Sequence, residues 1–284
     1  MKYSFSSQLE RIPPSGIRKF FDLVSASDDP EMISLSVGEP DFCTPWDIRK
    51  KAINALEDGL TGYTSNRGSL DCLFAISDYM NRQFSCSYDP HSELLITNGV
   101  SEGIDIALRA LINPGDEVII PKPAYVCYDP LTRLAGATVV SIDTTDNGFI
   151  PDPSAIEKAI TPKTKLLLLS SPSNPTGVVI PPNTLEEIAD VVKRHNLLVL
   201  SDEIYAELDY EQLFRCFSSL PGMKERTLIF NGLSKAFAMT GWRLGFVCGP
   251  EPLIDRLLKI HQYSALCSPI LSQLAATEAL THSD

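Results

Sequence analysis

The stretch Leu166-Leu167-Leu168-Leu169-Ser170-Ser171-Pro172-Ser173-Asn174-Pro175-Thr176-Gly177 decides the fold. Four leucines in a row, with no polar alternation, are the pattern of a strand covered on both faces. The Ser/Pro/Asn/Gly cluster behind them ends that strand in a turn. Outward from it, the same apolar-run pattern recurs at residues 94–97, 117–121, 138–142, 197–201, 227–230 and 245–248. Helical patterns lie between the runs. Thr44 reads as the cap of a helix with Pro45 first and Asp47 third, followed by Ile48, Ala52, Ala55 and Leu56. Asp152-Pro153 opens another helix. Asn183 with Glu186 resembles a capping box ahead of Leu185, Ile188, Ala189 and Val192, spaced for one helical face. Near the end, Ile270, Leu271, Leu274 and Ala275 mark a last amphipathic helix. Such strand–helix alternation predicts an α/β chain, a mostly parallel sheet sandwiched by helices. Ligands of such sheets gather beyond the carboxyl ends of the strands, which is where chemistry is to be sought.

Bulk properties narrow the function classes. A 284-residue chain with 44% hydrophobic and 21% charged residues can bury a sizeable core. Its formal net charge of −12 repels nucleic-acid backbones and anionic lipid heads, so neither is expected as a partner. Glu10 and Arg11 precede any apolar run, and no apolar stretch approaches the roughly 18 residues that span a bilayer. A cytoplasmic protein is expected. The seven cysteines are odd in number with no Cys-x-x-Cys pair, and the four histidines are scattered. Reduced thiols, and no metal site, are the expectation.

Three strand ends carry the candidate chemistry. Asn174 follows the leucine strand; by itself Asn-Pro-Thr-Gly is also simply a good turn. Ser201-Asp202-Glu203-Ile204-Tyr205 follows the next strand, where a carboxylate could equally cap a helix and Tyr205 could merely pack. Asn231-Gly232-Leu233-Ser234-Lys235 follows a third and leads through Thr240-Gly241-Trp242 to Arg243. A lysine among small and apolar residues is poorly solvated, which lowers its pKa and makes it a better nucleophile. An arginine supplies a fixed fork for a phosphate. An amide, a carboxylate with a phenol, and a lysine with an arginine together match what pyridoxal 5'-phosphate needs. The aldehyde takes a lysine, the ring nitrogen a carboxylate, the ring hydroxyl donors, and the phosphate an arginine and a helix N-terminus.

These elements, Asn-Pro-Thr-Gly, Asp-x-x-Tyr and Ser-Lys-x-x-x-x-Thr-Gly-Trp-Arg, resemble those of the fold-type-I pyridoxal-phosphate aminotransferases, classes I and II. The likeness runs from Ile12-Pro13-Pro14-Ser15-Gly16-Ile17-Arg18 through Gly38-Glu39-Pro40-Asp41-Phe42 to the last helix, and falls nearest the aspartate/aromatic-like subgroup. The resemblance implies that Lys235 forms the imine and then shuttles the α-proton of an amino acid on its way to a 2-oxo acid. It implies Asp202 at the pyridine nitrogen, Asn174 and Tyr205 at the ring hydroxyl, and Tyr125 stacked on the ring. Val100, Ser101 and Glu102 would open the phosphate-binding helix, joined by Ser234 and Arg243. Tyr63 would reach the phosphate of the second subunit of a homodimer. Gly38, with Asn174, would serve the substrate carboxylate. Residues 1–44 are expected to form an arm and substrate-closing segment, and 45–284 the cofactor-binding large domain. Two departures stand out. Gly232 occupies a position where many relatives carry a phosphate-binding serine. The family's smaller C-terminal domain, with its carboxylate-binding arginine, is expected to be absent, so that the chain holds the cofactor but turns over poorly unless Arg18 or Arg67 substitutes.

Other readings compete. A β-lyase or ring-forming synthase would share the same cofactor residues. Gly99-Val100-Ser101-Glu102-Gly103 matches the G-x-S-x-G elbow of an α/β-hydrolase, with Ser101 as nucleophile and His195 or His261 as base. That reading leaves Lys235, Asp202 and Arg243 without work. A cofactor-binding half of a transcription regulator would need a basic DNA-binding segment, which the first forty residues lack.

Overall fold

The structure, a computed structural model, describes residues 3–14, 23, 24, 26, 29, 33, 35 and 38–282. Seven strands form one sheet: β1 Leu94–Thr97, β2 Glu117–Lys122, β3 Thr138–Asp143, β4 Thr164–Ser170, β5 Leu198–Asp202, β6 Thr227–Gly232 and β7 Gly245–Cys248. Their order is β1-β7-β6-β5-β4-β2-β3, and β7 alone runs against its neighbours. The helices named here are α1 Trp46–Glu57, α2 Leu70–Phe84, α3 Val100–Leu111, α4 Tyr128–Leu134, α5 Pro153–Ala159, α6 Pro182–Arg194, α7 Leu233–Ala236, α8 Glu251–Ser264 and α9 Ile270–His282.

The leucine run shows how the sheet is covered. Leu167 and Leu169 point into a core shared with α1, α2, α6 and α9, while Leu166 and Leu168 point into one shared with α3, α4 and α8. Alternation of side chains along a strand makes this division automatic. Because both faces are dry, every position must be apolar. Burying one such side chain contributes roughly 1.5–3 kcal/mol, against about 1 kcal/mol for a typical capping residue.

That ranking explains where local signals lose. Helix α1 begins at Trp46 with Pro45 as its cap, and Thr44 makes no cap bond. Its hydroxyl instead donates to the Ala238 carbonyl at 2.6 Å and accepts from Trp242 Nε1 at 3.0 Å, tying the chain entry to the Lys235 segment. Helix α6 starts at Pro182, capped by Pro181, so Asn183 lies inside it and not at its boundary. Proline suits the first helical position because its missing N–H would be unsatisfied there anyway. Asp152 does cap α5, accepting from Ser154 N at 2.9 Å. In α9 the buried face contains Ser272 and Gln273 as well as Ala275, Ala276, Ala279 and Leu280, whereas Ile270, Leu271 and Leu274 are only half-buried. The polar pair is buried because it is bonded: Gln273 accepts from Ser69 N and donates to the Ser268 carbonyl, and Ser272 donates to the Trp242 carbonyl. Among the described residues no helix is long and apolar enough to cross a membrane.

Candidate active site

Strands β4, β5 and β6 are parallel and in register, Leu169 opposite Ser201 and Asp202 opposite Phe230, so their carboxyl ends form one ledge. Asn174, Asp202, Tyr205, Ser234 and Lys235 all project from that ledge. The first residues of α3 and the segment ahead of α4 add Val100, Ser101 and Tyr125, and Gly38 and Arg243 complete the wall. These ten residues line a single cavity of about 520 Å³. Tyr63 and Glu102 do not line it. Tyr63 is 87% exposed, and the Glu102 side chain turns back onto Asn98 N and His261.

Each group has a defined environment. Lys235 Nζ donates to the Gly38 carbonyl and sits 5.6 Å from the centre of the Tyr205 ring. Partial burial lowers its pKa; the nearby Glu39 carboxylate opposes that shift and Arg243 adds to it. Asp202 is fully buried, and desolvation pushes it up to about 6. Two bonds favour its ionised form: Tyr128 Oη donates to Oδ2 at 2.6 Å, and Ile204 N donates to Oδ1 at 3.2 Å. Asn174 Nδ2 donates to Tyr205 Oη at 3.2 Å, which places an amide and a phenol side by side. The Tyr125 ring meets Tyr128 edge-on, centres 5.7 Å apart.

The end opposite Asp202 is suited to an anion. Helix α3 presents its N-terminus, where the first N–H groups have no helical partner. Arg243 Nη1 donates to the Thr240 carbonyl at 3.0 Å and Nη2 to that of Asn98 at 3.5 Å. Gly99 has φ +81°, and a Cβ there would lie 2.4 Å from Arg243 Nη2, so turn and guanidinium pack with no side chain between them. Gly232 follows from sheet pairing. It faces Gly245 across β6 and β7, and a Cβ would lie 2.9 Å from Gly245 Cα and from the Leu244 carbonyl. A serine therefore has no room at 232 without a backbone shift.

Tyr128, Glu39 and Thr240 also belong to the cavity and were not singled out from the sequence. Tyr128 carried a faint signal, lying three residues beyond Tyr125 at the start of a helix, but its partner Asp202 is 74 positions away. The two rival assignments find other geometry. Arg67 is held by the Ser92 and Leu94 carbonyls and by Asp255 at 2.9 Å, away from the cavity. His261 is on Glu102 and His195 is on Glu157, so neither histidine is placed as a base for Ser101. Ser15, Gly16, Ile17 and Arg18 lie outside the described residues.

A lysine, a buried carboxylate, an amide–phenol pair and an arginine beside a helix N-terminus coincide with likeness along the whole chain. Residues 30–284 match the model of aminotransferase class I and II. The chain belongs to that family. It is 51% identical over 276 residues to a putative aminotransferase, YugH, of Bacillus subtilis, covering 97% of this chain and 71% of the relative. It is 42% identical to an aspartate aminotransferase of Pyrococcus abyssi, covering 98% and 71%. In three dimensions it matches an aspartate aminotransferase from Thermus thermophilus with maleate at a TM-score of 0.93 and 36% identity, covering 99% of this chain and 73% of that one.

Proposed function

We propose that this aminotransferase-family chain binds pyridoxal 5'-phosphate on Lys235 and transfers an amino group between an amino acid and a 2-oxo acid. The observation that carries the reading is the placement of Lys235 and the buried Asp202 on one cavity wall, with the Gly99 turn and Arg243 at its anion-binding end. The residues fit the cofactor: Gly99 lets Arg243 pack against the turn where a Cβ would displace it, and the donors match the aldehyde, ring nitrogen, ring hydroxyl and phosphate in kind. When bound, the cofactor supplies an electron-withdrawing ring that acidifies the α-carbon of the amino acid.

Each side chain then has work to do. Burial keeps more of the Lys235 amine unprotonated, ready to attack an aldehyde, and afterwards Nζ accepts and returns the α-proton. Asp202, unscreened by solvent, holds a proton on the ring nitrogen; Tyr128 keeps the carboxylate ionised and aimed. Asn174 and Tyr205 bind the ring hydroxyl, and Tyr125 covers a ring face. The N–H groups of Val100, Ser101 and Glu102 with Ser234 and Arg243 take the phosphate. Gly38 and Asn174 border the substrate carboxylate. Residues 45–284 thus act as the cofactor-binding domain. Tyr63, exposed, serves the phosphate of a second copy in a homodimer.

The test is an absorbance titration with pyridoxal phosphate followed by a panel of amino donors. A visible band that forms on binding and is replaced by a shorter-wavelength amine band with at least one donor supports transamination. A protein that forms the band and bleaches with no donor contradicts it.

A further inference from the structure

The turn that closes the anion-binding end of the cavity is fixed from three sides. From below, Gly245 packs against it: a Cβ there would stand 2.6 Å from Val100 N. From the cavity side comes Arg243, in contact with Gly99. From behind comes Glu102, third residue of α3. Its Oε2 accepts from Asn98 N at 2.5 Å, and its Oε1 meets His261 Nδ1 at 2.9 Å. His261, on α8, is fully buried, so this contact is made in the interior. The pattern is a capping box displaced by one residue: the acid three places into the helix reaches back past the cap to the preceding N–H.

A carboxylate here presents a conflict of charge. In the first turn of a helix an acid is favoured by the helix dipole, but one facing an incoming phosphate would repel it. The structure settles this by turning Glu102 away from the cavity and placing its oxygens on a backbone N–H and on an imidazole. The N–H groups of the turn's cavity side are left for an anion.

We infer that Glu102, backed by His261, is a positioning residue that holds the 98–101 turn in its anion-binding shape. The inference rests on the proposed cofactor reading and adds a role for a side chain that does not touch the cavity. Its sign is opposite to that of a simple electrostatic effect. If only charge mattered, deleting Glu102 would tighten phosphate binding; if it holds the turn, deletion loosens it.

The experiment compares the wild-type chain, Glu102→Ala and Glu102→Gln, each titrated with pyridoxal phosphate and with pyridoxal, which lacks the phosphate. Circular dichroism verifies the fold of each. The dissociation constant for pyridoxal divided by that for pyridoxal phosphate isolates the phosphate end from general damage. Glu102→Ala is expected to lower that ratio on the order of tenfold, the loss of one well-placed charge-assisted bond. Glu102→Gln keeps an oxygen for Asn98 N and an amide for His261, and is expected to bind pyridoxal phosphate as tightly as wild type or more tightly. An unchanged or raised ratio in the alanine variant, or a glutamine variant as weak as alanine, overturns the inference while leaving the cofactor reading intact. If the alanine variant does not fold, Glu102→Met, which fills the same space but offers no oxygen to Asn98 N, takes its place: a lowered ratio supports the inference and an unchanged or raised one overturns it. A wild-type chain that binds neither ligand overturns both.

Discussion

Asp202 and Glu203 are adjacent in the chain, both buried, and both pushed up by burial, to about 6 and about 7. They belong to different regions. Alternation at the end of β5 sends Asp202 to the α3–α4 side, into the cavity with Tyr128. It sends Glu203 to the opposite side, where Oε1 accepts from Ser201 Oγ at 2.8 Å and Phe217 N at 3.0 Å, near a cluster of Cys86, Cys216, Ser218 and Tyr88. Burial and a displaced pKa are common to both regions, so neither marks function. The difference is the open flank. Asp202 is held on one side by Tyr128 and Ile204 and faces a cavity on the other, whereas Glu203 is enclosed by its own chain.

Substitutions can break or sharpen that contrast. The largest effect on turnover is expected from Asp202→Ala, which removes the carboxylate proposed to keep the ring nitrogen protonated. Steady-state kcat should fall about 10²–10³-fold, the loss seen when a single preorganised electrostatic partner is deleted. A fall of less than threefold would place Asp202 with Glu203 as a structural acid.

Tyr128→Phe comes next. The phenol stabilises the ionised carboxyl, so its removal raises the Asp202 pKa further. The acidic limb of the kcat/KM profile should then move to higher pH by about one unit, with the rate lower by roughly tenfold near pH 5 and about twofold near neutrality. A uniform loss with no movement of the limb would make Tyr128 a packing residue only.

Glu203→Gln should change turnover least, by about twofold or less, and act on stability. A carboxyl whose pKa is raised on folding stabilises the folded state fully below its unfolded value near 4.5, and that contribution is lost as pH rises through about 7. The wild-type chain should therefore lose up to about 3 kcal/mol of unfolding free energy from this group between pH 4.5 and 8. Denaturant titrations of the glutamine variant should show a flatter profile over that window. An equal slope would mean that Glu203 titrates normally and that its burial costs nothing.

Most of the fold and part of the candidate site are legible in the sequence, for identifiable physical reasons. Dry strands need uninterrupted apolar runs, so 166–169 announce β4 and, by alternation, two cores. Lys235, Asp202 and Asn174 stand within a few residues of strand ends, and strand ends converge in a parallel sheet. What stayed hidden depends on contacts distant in sequence. Tyr128 meets Asp202 across 74 positions, and Glu102 meets His261 across 159. Thr44 looked like a cap because capping is local, but Ala238 and Trp242, some 194 and 198 residues on, claim its hydroxyl. Gly232 looked like a lost phosphate ligand until the opposing Gly245 showed that the site is closed to any side chain.

The central claim is that Lys235, and no other lysine, carries the cofactor. Borohydride reduction of the pyridoxal-phosphate-loaded protein, followed by proteolysis and mass mapping, tests it directly. The expected result is a pyridoxyl mass on the peptide containing Ser234-Lys235-Ala236, and none in Lys235→Ala. A label on any other lysine in the wild-type chain, or a retained label of equal yield in the alanine variant, would contradict it.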